Sequence, residues 1–442
     1  MVSPPSNDIP FEKKSTGMPT LQSSPVFLAL IVAVSLSVFL TWPVALSPRS
    51  QLIGHPGNDT WNHVWGYWWI GHGLEGGAWP LFTDLLSFPK GGTLYFIDSV
   101  QVVLSLPLQW LGGPVFAYNM VILGNIAFGG FAAWLLIRKL VGDDVAAVMG
   151  LFVYECSPHL LGQAYNGISE TTCTGWLPLT LLALLRLMER PTLGRGFQLG
   201  AAAALCMLTS WYYGLFAAIG GAVLVVWRVL RQPWTMHWSR TALSLGVAGL
   251  TWAVMVMPIL NAFRASLEAE DALVTRDPEF VQASLLNHNI TDLLSFFRPT
   301  KVASPDLFAL YGEQLLIVIY LGWIALCLGA VAIWSTRRHR EFGPWIWLAL
   351  VFFVFSLGPY LYFSGSYVEF DGRRAPMPFL LLFDALPVFD RISHPFRFVV
   401  GVTLSIAVVA SYGLRHLIRL KPAHQQWCVV LAVGLPNQDL QA

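Results

Sequence analysis

Asp59 heads the stretch of this sequence that is richest in chemistry, Gly57-Asn58-Asp59-Thr60-Trp61-Asn62-His63-Val64-Trp65-Gly66-Tyr67-Trp68-Trp69. A carboxylate held at a membrane surface can take the proton of an attacking hydroxyl, which makes Asp59 a candidate general base. The same position suits a helix N-cap, where a side-chain oxygen accepts a bond from a free backbone N–H. His63, one helical turn on, is a candidate substrate-binding, proton-sharing or metal-ligating group, or simply an interfacial histidine. Glu155 and Glu170 flank a stretch holding His159, Gln163 and Asn166, a set able to line a sugar-binding surface. The plainer reading is that the two acids mark where short spans meet water. Arg298, Arg391, His394 and Arg397, with Arg373 and Arg374, gather positive groups where a departing phosphate would need them. Each is equally a snorkelling or loop-pairing side chain, Arg391 with Asp390 for instance. Glu268, Glu270 and Asp271 read as a solvated helix face, and Glu313 precedes a later span.

These side chains need a scaffold, and composition says which. The chain has 442 residues, 55% of them hydrophobic and 12% charged, with a mean hydropathy of +0.58. Ordinary soluble proteins are about 25% charged, and a soluble fold of this size could not hide so much apolar surface. Lipid is the solvent this composition suits. The net charge of +1 gives no footprint for nucleic acid. No zinc-like cysteine or histidine spacing occurs. Cys206, Cys327 and Cys428 fall within apolar runs, whereas Cys156 and Cys173 fall near the outer ends of adjacent spans, where a disulfide is one of two options.

A span takes about 20 mostly apolar residues. Suitable runs lie at 25–46, 117–140, 170–188, 197–212, 214–230, 242–260, 315–335, 344–363 and 398–420, and a shorter one at 145–157 must cross if flanking charges are to alternate. Residues 101–112 read as an interfacial or re-entrant segment. The expected fold is therefore an all-α polytopic membrane protein of about ten or eleven transmembrane helices. Residues 1–24 form a polar cytoplasmic N-terminus, 25–420 the transmembrane domain, and 421–442 the start of a further span, with the chain ending abruptly. With the N-terminus inside, the basic pairs and triplets near 138, 190, 228, 338 and 419 all face the cytoplasm, as the positive-inside rule requires. The long connections, 47–116, 261–314 and 364–397, then lie outside, and with them the chemistry. Trp61, Trp65, Trp68 and Trp69 recur at i, i+4, i+7 and i+8, the spacing of one face of an interfacial helix. Few ionisable residues fall within the expected spans, which argues against an ion-coupled transporter.

A first span followed by an outer loop opening on an acid and an aromatic helix resembles the GT-C superfamily of membrane glycosyltransferases. Further stretches are similar to the branch that includes YfhO-like proteins: Phe88-Pro89-Lys90-Gly91-Gly92-Thr93-Leu94, Tyr154-Glu155-Cys156-Ser157-Pro158-His159, Trp176-Leu177-Pro178-Leu179, Trp211-Tyr212-Tyr213-Gly214, the run from Thr291 to Pro299, and the run from Leu386 to Phe398. It is their order, from Pro25 to about Leu420, that carries the resemblance. It implies a polyprenyl-phosphate sugar donor, an extracytoplasmic acceptor and a first-loop carboxylate acting as base, which falls on Asp59. Members differ in metal dependence and no Asp-x-Asp pair stands here, so a divalent metal stays open. The implied location is the bacterial inner membrane.

The leading expectation is a glycosyltransferase. A flippase or transporter of a lipid-linked glycan predicts internal repeats and polar residues within spans, and a non-catalytic assembly subunit predicts outer acids that are merely solvated. The sequons Asn58-Asp59-Thr60 and Asn289-Ile290-Thr291 bear on this, because a glycan on Asn58 would block the expected base.

Overall fold

The structure, a computed structural model, describes residues 24–96, 98–231, 238–274, 278–287, 290–299, 315–335, 342–386 and 389–420. Residues 1–23, Asn289, Glu313, Arg337, Arg338, Arg340 and everything from Lys421 onward, including the expected further span, lie outside them. The helices are α1 (Pro25–Leu40), α2 (Thr60–Glu75), α3 (Ser99–Val141), α4 (Asp144–Glu155), α5 (Pro158–Asn166), α6 (Ser169–Thr172), α7 (Trp176–Glu189) and α8 (Leu193–Thr209). They continue as α9 (Trp211–Arg231), α10 (Trp238–Glu268), α11 (Pro278–Asn287), α12 (Trp323–Ser335), α13 (Gly343–Ser356), α14 (Pro378–Ala385) and α15 (Val399–Leu420). Three two-stranded hairpins decorate the loops.

Five helical segments among the described residues are long and apolar enough to cross a membrane: 100–141, 144–166, 211–231, 239–268 and 395–420. α1, α12 and α13 are shorter apolar helices. This is a multi-pass membrane protein, with fewer full-length spans among the described residues than the apolar runs led us to expect. Its helices meet through small residues. α1 turns Ala29, Ala33 and Ser37 inward and Phe27, Leu30, Ile31 and Val34 outward, and Ser37 Oγ donates to the Leu123 carbonyl of α3 at 2.6 Å. Without a hydrophobic force between helices in lipid, such close backbone approach is what binds them. Of the five long segments the one holding α15 is the most enclosed, and it runs through the main core cluster from Val399 to Tyr412.

Four local expectations change. The segment 101–112 is the first arm of α3, joined to the span beyond by a break at Gly113 (φ 81°) ahead of Pro114. The loop expected at 158–169 is helical and buried: Pro158 starts α5, which turns His159, Leu160, Gln163, Ala164 and Asn166 inward. Of the expected span 315–335, only α12 is helical. Residues 315–321 run extended with Ile317, Ile319 and Leu321 buried at every second position, the period of a strand. α13 ends at Ser356, and the hairpin pair Tyr362–Phe363 with Ser366–Tyr367 follows.

The long loops also bind one another. Thr93 donates its backbone N–H to the Asp271 carbonyl at 2.9 Å and its hydroxyl to Asp271 Oδ1 at 2.7 Å. Asp271, expected on a solvated face, thus ties the long loop after α1 to the chain beyond α10.

Candidate functional site

α2 begins at Thr60 with Asp59 in the N-cap position, yet the carboxylate caps nothing. It accepts a bond from Asn62 Nδ2 at 3.1 Å and stays half-buried. The aromatic face also differs from expectation. Trp61 and Trp68 are exposed, whereas Trp69 is buried and stacks with Trp65 at 5.1 Å, because α2 lies against α3 and its inward face is Val64, Tyr67 and Ile70.

That inward face carries His63, which is 7% exposed and whose ring sits between two carboxylates. Nδ1 is 3.5 Å from Asp98 Oδ2 and Nε2 is 3.4 Å from Glu170 Oε2. Ser169 Oγ lies 2.8 Å from Nδ1 and donates a short hydrogen bond to Asp98 Oδ2. Asp98 is fully buried and Glu170 is 7% exposed. Asp98 Oδ1 and Glu170 Oε2 find no hydrogen-bond partner among the described residues. Burial by itself would lower the His63 pKa, but the charges of Glu170 and Asp98, with Asp59 beyond them, outweigh it and hold the imidazole above its ordinary value. Burial, joined by the charge of Glu170, pushes Asp98 up to about 6, against the pull of His63 and Ser169. Asp98 was not singled out in the sequence. It precedes the apolar run of α3 and looks like a cap there, but it makes no cap bond.

The α5–α6 turn that carries Ser169 and Glu170 is pinned from several sides. Asn125 Nδ2 donates to Gln101 Oε1 at 2.6 Å and to Thr172 Oγ1 at 3.1 Å. Thr171 Oγ1 donates to Gln163 Oε1 at 3.0 Å, and the Tyr213 hydroxyl donates to the Thr171 carbonyl. Gly167 turns the chain at φ 78°, where a Cβ would stand 2.1 Å from Thr60 Oγ1. A left-handed backbone pressed against its neighbour admits only glycine.

Asn166 holds the extended segment 315–321 as a strand neighbour would. Leu316 N–H donates to Asn166 Oδ1 at 2.7 Å and Asn166 Nδ2 donates to the Leu316 carbonyl at 3.0 Å. Asn58 Nδ2 also reaches Asn166 Oδ1, at 3.3 Å, so one amide ties the Asp59 loop to that segment. Asn166→Ala strands these buried groups and should cost roughly 1–3 kcal/mol. The check is thermal unfolding in detergent, and an unshifted midpoint would mean the clasp carries no stability.

The remaining candidates divide. Glu155, fully buried at the end of α4, finds no hydrogen-bond partner among the described residues for either oxygen. Its carboxylate occupies the space a Cβ at Gly130 would need, 1.9 Å away. The expectation that Glu155 and Glu170 meet water is therefore corrected: neither does. Glu155 and His159 both fall within the segment 144–166, so this span carries ionisable side chains that the sequence reading put at its edge. His159 is buried against Phe396 with ring centroids 6.0 Å apart. Arg397 lies next to it in sequence from Phe396 and stacks over Tyr212 at 4.8 Å, its Nε without a partner among the described residues. His394 Nδ1 is 2.7 Å from Ser393 Oγ. Arg391 is exposed and pairs with Asp390 at 3.5 Å, and Arg298 is exposed in the preceding loop. Arg374 stacks on Tyr367 at 4.0 Å. Cys156 and Cys173 are free thiols. Among the described residues, His63, Asp98 and Glu170 are the group whose donor atoms converge closely enough to hold a metal ion, all within 4.8 Å of one another.

This bundle of membrane helices, with a buried acid–imidazole cluster beside its first long loop, has a GT-C-like fold, as its likeness to a solved structure shows. ArnT from Cupriavidus metallidurans, in a crystal structure bound to undecaprenyl phosphate, superposes with a TM-score of 0.51 at 14% identity, covering 92% of this chain and 66% of that one. The apo form of the same protein gives 0.49 at 16% identity, covering 92% and 62%. The apo oligosaccharyltransferase of Archaeoglobus fulgidus gives 0.49 at 13% identity, covering 92% and 53%. The chain thus spans between about half and two thirds of the length of these proteins. The chain belongs to the family described as domain of unknown function DUF6311, whose model matches residues 29–434. No curated protein sequence matches it.

Proposed function

We propose that this chain is a membrane glycosyltransferase that moves a sugar from a polyprenyl-phosphate-linked donor to an extracytoplasmic acceptor. The observation that carries the reading is the buried His63–Asp98–Glu170 cluster one helical turn from Asp59. Two buried carboxylates around an imidazole are costly to fold and of no evident use to packing, and such groups concentrate where chemistry is done. ArnT is a protein of this fold crystallised with undecaprenyl phosphate, which makes that lipid the carrier to test first.

In this reading the acceptor hydroxyl attacks the anomeric carbon as its proton passes to Asp59. The bond from that carbon to the phosphate oxygen breaks, and the lipid phosphate leaves with the electron pair. Inversion follows from in-line attack. A departing phosphate needs positive groups in a poorly solvated place. Arg397, half-buried and with no partner for its Nε among the described residues, fits that need better than Arg298 or Arg391, which are exposed. His394 and His159 flank it in support, and Glu155 is left for sugar hydroxyls. The host membrane would be a bacterial plasma membrane with the N-terminus in the cytoplasm.

Purified protein in nanodiscs, titrated with polyprenyl phosphate and polyprenyl-phosphate sugars, tests the reading. Saturable binding of the carrier with release of free lipid phosphate supports it, and absence of binding withdraws it. Within that assay, Arg397→Gln should weaken carrier affinity roughly 10- to 100-fold, the loss of one charge-assisted contact. Wild-type affinity in this variant would assign the phosphate to other residues.

A further inference from the structure

We propose that a cavity between α11, α14 and the turn Phe389–Arg391 binds one pyranose ring of a glycan. The cavity measures about 150 Å³ and is lined by Val281, Gln282, Phe383, Asp390 and Arg391. It joins the long loops 261–314 and 364–397 and shares no residue with the His63 cluster.

Its walls are set by the core beneath them. Val281 is fully buried, and Phe383 packs against the same apolar cluster. Phe379, also fully buried, contacts both Phe383 and Phe389, with ring centroids 6.4 and 5.9 Å away. Phe389 opens a single 3₁₀ turn that carries Asp390 and Arg391, and the Ile392 N–H closes it on the Phe389 carbonyl at 3.1 Å. Packing thus shapes the pocket before any ligand arrives, as small-molecule sites generally require.

Size and polarity together select the occupant. A cavity of about 150 Å³ admits one six-membered ring, and a purely apolar one of that size takes benzene. Here three of the five lining side chains are polar. Asp390 Oδ1 is enclosed and accepts no hydrogen bond from a described residue, the Arg391 Nε standing 3.5 Å away. A hydrocarbon ring would leave that oxygen unmet, which is costly. Pyranose hydroxyls donate to a carboxylate, accept from a guanidinium, and do either with the Gln282 amide. The C–H patches of the same ring suit Val281 and Phe383. A soluble glycan and a glycolipid headgroup both present such a ring.

The test uses the full chain in phosphatidylcholine nanodiscs, because sugar-based detergents would compete. Methyl glycosides of glucose, galactose, mannose and N-acetylglucosamine are titrated and followed by saturation-transfer difference NMR. At least one should bind with a dissociation constant of about 1 mM, the affinity open to a ligand of that size. Asp390→Ala should weaken it at least about ten-fold. Gln282→Trp, at an exposed position, should fill the cavity and do the same, and it serves if Asp390→Ala fails to fold. A glucosyl diacylglycerol placed in the disc separates the two sources: displacement of the bound glycoside assigns the ring to a lipid headgroup, no displacement to a soluble glycan, and either supports the site. Binding is read without turnover, so this site and the transferase reading fail separately. No glycoside binding to wild type overturns the proposal, as does wild-type affinity in a folded variant. Binding of toluene or uridine in place of the glycosides overturns the ligand class.

Discussion

Asp59→Asn is expected to leave a folded, carrier-binding protein whose sugar transfer falls by roughly 10²- to 10⁴-fold, the usual contribution of a positioned general base. The fold should tolerate the change. The side chain is half-buried and caps nothing, and the hydrogen bond it receives from Asn62 Nδ2 can be accepted equally well by an amide oxygen. Proton affinity is what the substitution removes. The measurement is single-turnover transfer in nanodiscs at saturating donor, with carrier affinity recorded in parallel. A rate within about threefold of wild type would take the base role from Asp59. A parallel loss of carrier affinity would point instead to a binding role.

A second large effect is expected far from the chemistry. α8 and α10 meet at Gly196 and Gly200, which face Ser244 and Ala248 one turn apart. A Cβ at Gly196 would stand 2.2 Å from the Ser244 carbonyl oxygen, and one at Gly200 2.3 Å from that of Ala248. Backbone carbonyls cannot rotate away as a flexible side chain can, so the helices must separate. Overpacking a close site costs about 1–3 kcal/mol. Two such sites in Gly196→Leu/Gly200→Leu consume much of a total stability of roughly 5–15 kcal/mol. We expect the folded, monodisperse fraction in detergent to collapse and the thermal midpoint to fall sharply. An unchanged melting profile would show that these helices do not depend on that contact. Because α8 leads directly into α9, whose Tyr213 hydroxyl pins the Thr171 carbonyl, a separated pair should also loosen the turn bearing Glu170.

Neither glycine stood out in the sequence. Gly196-x-x-x-Gly200 is a small-residue spacing that suits helix contact in lipid, but nothing local says which helix would face it. The same limit governed the site. Asp59 and His63 were legible because a single stretch holds both, and the spacing of a helix puts them one turn apart. Glu170 and Arg397 were candidates on residue type alone. Asp98 was missed because an acid before an apolar run reads as a cap, and only its surroundings show the carboxylate turned toward His63.

What the sequence determined by itself are the properties that follow from neighbours along the chain. Apolar runs and scarce charge require a membrane, and the periodicity after Asp59 predicts a helix there. Extended backbone at 315–321 escaped this reading because an apolar run of leucine, isoleucine and valine suits a buried strand or a membrane helix equally. The choice was made by Asn166, far away in sequence, which offers Leu316 both a donor and an acceptor. Tertiary packing alone decided that Glu155 and Glu170 are enclosed rather than wetted, and that residues 63, 98 and 170 share one pocket. Burial and convergence are properties of how helices pack against one another, and no local period encodes them.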